Sequence, residues 1–272
     1  MLNEHFLRLR KILYSLKGGT IAVSGGVDSM TLSSFANLVL GPKEVRMVHA
    51  VSPAVPAAAT IRVREFAARE GWYLTEVDAG EFGDPRYRAN PVDRCFFCKS
   101  NLYKTLHQLA DGVIMSGANC DDLNDYRPGL KAATENSVRH PYVEAGMVKA
   151  DIRRLARKLG LEDLAELPAS PCLSSRVETG IRVEPELLSM VDEVETWIRA
   201  TLGPQVVRCR IRNKGVTIEI DPETLNNLTT AKRLEIIGSV RARMPQTMQL
   251  DVTFAIYRRG SAFIGSNLTP AA

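Results

Sequence analysis

The chain has 272 residues, of which 45% are hydrophobic and 24% charged, and it carries a formal net charge of +4 at pH 7. This length suits one large domain or two modest ones, and the ordinary composition excludes a disordered or collagen-like protein. No apolar run approaches the roughly 20 residues that a membrane helix needs, and the N-terminal segment lacks the pattern of a signal peptide. We therefore expect a cytoplasmic protein with no membrane partner.

Apolar and amphipathic stretches alternate over the first 165 residues. After a helix at 4–16, apolar runs predict strands, and periodic segments between them predict helices, with strands at 20–23, 45–51, 72–77 and 113–116 and helices at 29–40, 57–70 and 95–110. Strands separated by helices indicate βαβ units and a parallel sheet. Ligands of such sheets bind beyond the carboxyl ends of the strands, so we expect the chemistry in the loops that follow them.

The remaining chain predicts a second, smaller domain. A helix at 150–161 closes the first domain, and residues 166–176 have two prolines and little periodicity, as a linker or active-site loop would. An amphipathic helix, two strands, a helix and a last strand follow, at 184–201, 206–212, 216–220, 230–243 and 247–258. The sequence thus predicts an α/β domain with a parallel sheet over 1–165 and a small α+β domain over 166–272.

The most informative motif is SGGVDS at 24–29, between the first strand and the next helix. Its glycines allow a tight turn and a close approach to an anion. The helix opening at Ser29 offers free N–H groups and a favourable dipole to phosphate. Asp28 is unfavourable beside phosphate unless it holds Mg²⁺ or orients the loop. The motif is not a Walker-type P-loop, and a plain glycine turn is the alternative interpretation.

SGGVDS is the signature of the PP-loop ATP pyrophosphatases, a class that this chain resembles. Such enzymes cleave ATP to AMP and pyrophosphate while they adenylate a carboxylate or carbonyl oxygen. Three further segments resemble one branch of the class, the LarE family: NPVDRCFFCK at 90–99, GANCDDLNDYRPG at 117–129 and ASPCLSSR at 169–176. The resemblance implies that the α/β domain is a PP-loop domain of the adenine nucleotide alpha hydrolase type.

The LarE resemblance implies an ATP-dependent sulfur transferase for the biosynthesis of the nickel-pincer nucleotide cofactor. ATP would adenylate a carboxylate of pyridinium-3,5-biscarboxylic acid mononucleotide, and a sulfur nucleophile would displace AMP to leave a thiocarboxylate. The implied partners are this small nucleotide, other copies of the chain in a homo-oligomer, and a downstream nickel-insertion protein.

The resemblance also implies an ATP site with Mg²⁺. Its residues would be Ala22, Ser24, Gly25, Gly26, Val27, Asp28, Ser29, Ala50, Gly117 and Asp122, with Asp28 in a catalytic role. Asp121 and Asp125 share the loop of Asp122, where such carboxylates either hold Mg²⁺ or only cap turns. Arg127 and Lys149 are candidates for phosphate contacts, with a salt bridge to an aspartate and a solvated side chain as the respective alternatives.

The five cysteines are an odd number, which argues against a disulfide framework in a cytosolic chain. Cys95 and Cys98 form a CxxC, and Cys172 lies in the ASPCLSSR segment. Spacing alone leaves a cluster, a zinc site and inert thiols open. The resemblance favours a 4Fe-4S cluster on Cys95, Cys98 and Cys172 that relays sulfide. In other members the cysteine aligned with Cys172 gives up its sulfur and becomes dehydroalanine, so Cys172 is the second catalytic candidate.

A third group of residues is a candidate binding site for the substrate phosphate. Hydroxyls and guanidinium groups suit a phosphorylated ligand, and the candidates are Ser174, Ser175, Arg176, Arg208 and Arg210. Arg208 and Arg210 share one face of a strand with Arg212, and pairing with the helix that carries Glu193 and Glu195 is the alternative. Cys209 faces the opposite, core side of that strand.

Two other functions within PP-loop chemistry stay open. A tRNA thiolase would also use cysteines, but the chain has neither a dense basic tract nor paired CxxC motifs, so we do not expect it to bind nucleic acid. An amide-forming synthetase of the NAD synthetase type would leave the cysteines idle.

Overall fold

The computed structural model describes residues 4–110, 112–124, 127–245 and 250–263. The chain divides into two compact units, the first formed by residues 1–81 and 95–170, and the second by residues 82–94 and 171–272. Within the described ranges, no helix is long and apolar enough to cross a membrane.

The first unit is built on a four-stranded parallel sheet, β1 Gly19–Ala22, β2 Val45–Ala50, β3 Tyr73–Val77 and β4 Ile114–Met115. The strand order is β3-β2-β1-β4, and Ile21 in β1 lies opposite Met47 on one side and Met115 on the other. All three of these side chains are fully buried. The predicted α/β class with a parallel sheet is confirmed, and the carboxyl ends of all four strands lie at one edge.

Helices of the first unit follow the strands in the predicted order. They are α1 Glu4–Leu16, α2 Val27–Leu40, α3 Ala57–Glu70, α5 Arg94–Leu109, α6 Pro128–Glu135, α7 Pro141–Glu144, α8 Lys149–Lys158 and α9 Glu162–Ala165; helix α4, Pro85–Arg88, belongs to the second unit. Helix α2 is buried along most of its length, as a central helix against the sheet must be. The short helices α6 and α7, which were not predicted, both begin with proline, a residue whose missing N–H costs nothing at a helix start.

The second unit contains a three-stranded sheet in the order β5-β6-β7, with β5 Val207–Arg212, β6 Gly215–Ile220 and β7 Val252–Ile256. Strands β5 and β6 are antiparallel, and β6 and β7 are parallel. Its helices are α4 Pro85–Arg88, α10 Pro185–Leu202, α11 Pro222–Asn226 and α12 Thr230–Arg243. Residues 247–249 of the predicted last strand lie outside the described part of the chain.

An upstream segment, residues 82–94, belongs to this second unit. Asn90 is fully buried, and its amide nitrogen donates to the carbonyl oxygens of Glu178 and Ile181 at 2.8 and 2.9 Å. The Tyr87 hydroxyl lies 2.6 Å from Ser174 Oγ. These side-chain bonds fasten the segment that precedes Cys95 to the segment that follows Cys172. The sequence predicted neither a helix nor a strand between the strand at 72–77 and the helix at 95–110.

Candidate active site

The SGGVDS segment lies directly after β1 and leads into α2. Gly25 adopts φ +78°, and a Cβ there would lie 2.8 Å from the carbonyl oxygen of Ala59, so only glycine fits. Gly26 precedes α2 in an extended conformation, and no side chain caps its first turn. The opening amides of a 14-residue helix are therefore available to an anion at this turn.

Two serines of the segment hold the turn closed. The Ser24 N–H donates to Ser29 Oγ at 3.0 Å, and the two hydroxyl oxygens are also 3.0 Å apart. Ser29 is buried, whereas Ser24 is exposed at the start of the loop. Ser29 thus stabilises the loop from inside, and Ser24 is the more exposed of the two serines.

The loop after β4 lies against this turn. A Cβ at Gly117 would lie 2.8 Å from the Ser29 nitrogen and 3.0 Å from the Asp28 carbonyl carbon. Glycine at 117 therefore permits the backbone of one loop to touch the backbone of the other. Ala22 and Ala50, the last residues of β1 and β2, are half-buried at the same edge of the sheet, and Val27 opens α2 as a buried residue.

Asp28 forms an ion pair across this edge. Its Oδ2 lies 2.5 Å from Lys149 Nζ at the start of α8. Its Oδ1 is buried and has no hydrogen-bond partner among the described residues. Burial raises the pKa of Asp28 above its usual value, and the Lys149 ammonium opposes that rise. The site therefore holds a carboxylate oxygen that is shielded from water and unsatisfied.

Two neighbouring aspartates have different roles in the loop that follows Gly117. Asp121 Oδ2 accepts the Lys149 N–H at 2.9 Å, so Asp121 caps the start of α8. Asp122 Oδ2 accepts the Asn119 N–H at 3.1 Å, and its Oδ1 lies 2.9 Å from Arg127 Nη2. The negative charge of Asp122 contributes to the raised pKa of Asp28. Asp125 lies outside the described residues.

These carboxylates fit a magnesium ion. Mg²⁺ takes hard oxygen ligands and binds through one or two carboxylates together with phosphate oxygens. The unsatisfied Asp28 Oδ1 supplies such an oxygen, and the Asp122 charge acts on the same carboxylate. A dication here would also offset the cost of a buried carboxylate.

Two residues at this edge were not found from the sequence. His49 in β2 is fully buried, with Nδ1 2.8 Å from the Val23 carbonyl oxygen and Nε2 2.9 Å from Thr60 Oγ1. A carbonyl only accepts, so Nδ1 carries a proton, and burial lowers the pKa of the ring, which favours its neutral form. Arg62 in α3 donates from Nη1 to the Gly25 carbonyl oxygen at 2.8 Å. Neither residue belongs to a recognisable motif. Thr60 lies 11 residues from His49, and Gly25 lies 37 residues from Arg62, so no local sequence pattern reveals either contact.

The cysteines are divided between the two units. Cys95 and Cys98 are half-buried on the first turn of α5, where residues three apart share a face. Cys172 is exposed in the second unit. None of the five cysteines, all of which are described, forms a disulfide. Over the described ranges, no group of three or more His, Cys, Asp or Glu side chains is arranged to hold a metal ion.

The chain around Cys172 is held by a buried ion pair. Arg176 is 1% exposed, and its Nε and Nη2 bind the two carboxylate oxygens of Glu195 at 2.9 and 3.0 Å. Its Nη1 donates to the carbonyl oxygens of Pro171 and Cys172 and to Ser175 Oγ. All three nitrogens of Arg176 are therefore engaged within the protein, and they fix the backbone on both sides of the Cys172 Cα. The predicted phosphate contact of Arg176 stays a prediction.

The other candidates for binding the substrate phosphate differ in burial and in the partners that they already have within the protein. Arg210 is buried and pairs with Glu219 at 2.9 Å. Arg208 is half-buried, stacks on Tyr257 with 5.7 Å to the ring centroid, and has a pKa lowered by burial and by the nearby Arg176 charge. Ser174 and Ser175 are buried.

Cys209 is fully buried, as its strand position predicted, and burial raises the pKa of its thiol.

The first unit has the form of a Rossmann-like α/β protein, with a glycine-rich turn at a helix start on the edge where such proteins bind phosphorylated ligands. An uncharacterized protein of Synechocystis is 38% identical over 229 residues, 83% of this chain and 84% of that protein. The pyridinium-3,5-bisthiocarboxylic acid mononucleotide synthase of Lactiplantibacillus plantarum is 31% identical over 212 residues, 76% of each chain. No family model matches the chain. The chain belongs to the family of this synthase, the LarE family.

Proposed function

We propose that the chain is an ATP-dependent sulfur transferase acting on pyridinium-3,5-biscarboxylic acid mononucleotide. The observation that supports this most directly is the relationship to a synthase named for the bisthiocarboxylic acid mononucleotide. The tight SGGVDS turn beside a buried, unsatisfied Asp28 oxygen supports the ATP-dependent part. A cytoplasmic location, a homo-oligomer and a downstream nickel-insertion protein belong to the same proposal.

The first step is adenylation of the substrate. A carboxylate oxygen attacks the α-phosphorus of ATP, the bond to the β-phosphate breaks, and pyrophosphate leaves with the bonding electrons. In our proposal the amides at the start of α2 bind phosphate oxygens, and Asp28 and Asp122 hold the Mg²⁺ that accompanies the nucleotide. Lys149, already on the Asp28 carboxylate, adds a positive charge at the same edge. Gly117 allows the two loops to close on the nucleotide without a steric clash.

The second step replaces oxygen by sulfur. A sulfur nucleophile attacks the activated carboxyl carbon, and AMP leaves with the electrons of the carbon–oxygen bond. AMP is a better leaving group than oxide, which is why the carboxylate needs activation. Cys172 is the proposed sulfur-bearing residue, since it is exposed on a backbone that Arg176 fixes. If the sulfur is its own, the thioester formed at Cys172 would lose its Cα proton to a base while the Cβ–Sγ bond breaks, leaving the thiocarboxylate on the product and dehydroalanine in the chain. In the other route a 4Fe-4S cluster on Cys95, Cys98 and Cys172 would supply sulfide to the activated carboxyl carbon.

Two measurements test this function. The first is release of pyrophosphate and AMP from ATP and Mg²⁺ with and without the biscarboxylate mononucleotide; formation of both only with that substrate is expected, and no dependence on it would contradict the proposal. The second is iron and acid-labile sulfide in protein purified without oxygen. Zinc without sulfide would reject the cluster while leaving the adenylation intact.

A further inference from the structure

Helix α3 contacts the SGGVDS turn at two points and is joined through His49 to the residue that precedes the turn. The Ala59 carbonyl oxygen lies where a Gly25 side chain would be. The Thr60 hydroxyl binds His49, whose other ring nitrogen binds the Val23 carbonyl just before the turn. The Arg62 guanidinium reaches the Gly25 carbonyl itself. The first two turns of α3 therefore border the loop.

Arg62 differs from its neighbours on the same helix. Arg64 forms a bidentate pair with Glu76, and Arg69 pairs with Glu70. Arg62 forms no ion pair within the described ranges, and its one hydrogen bond there is to the Gly25 carbonyl oxygen. It is half-buried, so its charge is partly removed from water. Burial lowers the pKa of Arg62 and the negative charge of Glu65, which forms no ion pair with it, opposes that change; the guanidinium stays protonated at neutral pH.

A half-buried guanidinium that no carboxylate binds directly within the described ranges is complementary to an anion. The hydrogen bond from Arg62 Nη1 to the carbonyl oxygen fixes the plane of the guanidinium. The remaining N–H donors of the guanidinium keep the forked geometry that matches two phosphate oxygens. The fixed end lies on the second residue of the SGGVDS turn. The β- and γ-phosphates of ATP carry most of its negative charge and leave together as pyrophosphate. A cation at this position would therefore be attracted most strongly to these two phosphates.

We propose that Arg62 binds the β- and γ-phosphates of the nucleotide and holds pyrophosphate as it leaves. The inference rests on the proposed function, because it assumes that the turn binds a nucleoside triphosphate. Arg62 and Lys149 would then contact the phosphates from α3 and from α8. Since AMP lacks the groups that Arg62 contacts, its binding does not depend on this side chain.

Calorimetric titration of the full-length protein tests the inference, with magnesium pyrophosphate, ATP and AMP as separate ligands. Arg62→Met is expected to weaken pyrophosphate and ATP binding about 10- to 100-fold, the range for a lost charged hydrogen bond, and to leave AMP binding within about twofold. Arg62→Lys keeps the charge without the fork and should recover part of the loss. Arg69→Met removes the same charge from the same helix away from the turn and is the matched control.

Equal pyrophosphate binding by Arg62→Met and Arg69→Met would overturn the inference. An equal loss of AMP and pyrophosphate binding would also overturn it, because it would mean that Arg62 only supports the shape of the turn. If Arg62→Met does not fold, Arg62→Lys alone decides: unchanged pyrophosphate binding by it contradicts a bidentate contact. A wild-type protein that binds neither ATP nor pyrophosphate would instead reject the proposed function, which is a distinct result.

Discussion

Lys149 Nζ lies 2.5 Å from Asp28 Oδ2, and this contact joins the first turn of α8 to the loop after β1. The two side chains are 35% and 26% exposed, so the pair is partly shielded from water. The second oxygen of the carboxylate is buried without a hydrogen-bond partner among the described residues. Burying a carboxylate oxygen that nothing satisfies is costly, and such groups are found where a ligand completes them.

Asp28→Asn is expected to abolish adenylation while the fold is kept. The amide still accepts a hydrogen bond from Lys149, but it loses the charge that we assign to Mg²⁺ binding. We expect pyrophosphate release to fall at least about 100-fold, the scale for losing one charge-stabilising group from an active site. The measurement is a steady-state pyrophosphate assay, with Asp163→Asn, an exposed aspartate on α9, as the control. Full activity of Asp28→Asn would exclude the assigned role.

Gly117→Ala is expected to weaken nucleotide binding and to destabilise the first unit. The new Cβ would lie 2.8 Å from the Ser29 nitrogen, so the two loops must separate. Overpacking of this kind costs about 1–3 kcal/mol of unfolding free energy. Urea unfolding and ATP titration measure the two effects. Gly238→Ala, which meets nothing within 4 Å in α12, should be neutral or stabilising, and identical behaviour of the two variants would contradict the close contact.

Glu195→Gln is expected to destabilise the second unit strongly. Glu195 is fully buried and binds Arg176, Arg199 and the Cys209 N–H. Removing one charge of a buried pair leaves the other uncompensated, at a cost of about 3–5 kcal/mol. The matched control is Glu235→Gln, whose exposed pair with Lys232 should be worth less than about 1 kcal/mol. Similar denaturation midpoints for both variants would show that the buried pair does not support the fold.

The buried His49 should make stability depend on pH. Burial lowers the pKa of His49 in the folded protein below its ordinary value of about 6.5. Below pH 6.5 the unfolded chain therefore binds more protons than the folded one, and stability falls as pH drops toward the folded-state pKa. The slope from one such group is at most about 1.4 kcal/mol per pH unit, and it vanishes well above pH 6.5.

This effect is measured by denaturing wild type and histidine variants between pH 5 and 8 and comparing how their unfolding free energies change with pH. His140 also has a pKa lowered by burial, so wild type is compared with His49→Gln rather than with a theoretical curve. The variant should lose stability at pH 7.5 and show a shallower acid slope. The exposed His107→Gln should retain the wild-type slope. Parallel slopes for wild type and His49→Gln would mean that His49 does not titrate with unfolding.

The first unit could be predicted because its signals are local. Each strand is a short apolar run and each long helix a periodic segment, and residues 24–29 join one to the other within a few positions. Even the core-side position of Cys209 follows from alternation along one strand. The family motifs likewise lie within single loops.

The remaining features depend on contacts between distant positions. Asn90 binds carbonyls that are 88 and 91 residues away, so no pattern inside 78–93 could reveal its place in the second unit. The buried pairing of Arg176 with Glu195, 19 residues on, likewise follows no local pattern, and the phosphate contact expected of Arg176 stays a prediction. Arg62 and Arg64 are alike in the sequence, and only the fold turns one toward Gly25 and the other toward Glu76.

Mass spectrometry of a single turnover tests the central claim most directly. The full-length protein is incubated without oxygen with ATP, Mg²⁺ and the biscarboxylate mononucleotide, and the masses of both the small molecule and the chain are recorded. The account predicts a product in which one oxygen is replaced by sulfur, formed only with ATP and lost in Cys172→Ala. Adenylated substrate with no sulfur in any product, or undiminished sulfur transfer by Cys172→Ala, would contradict it.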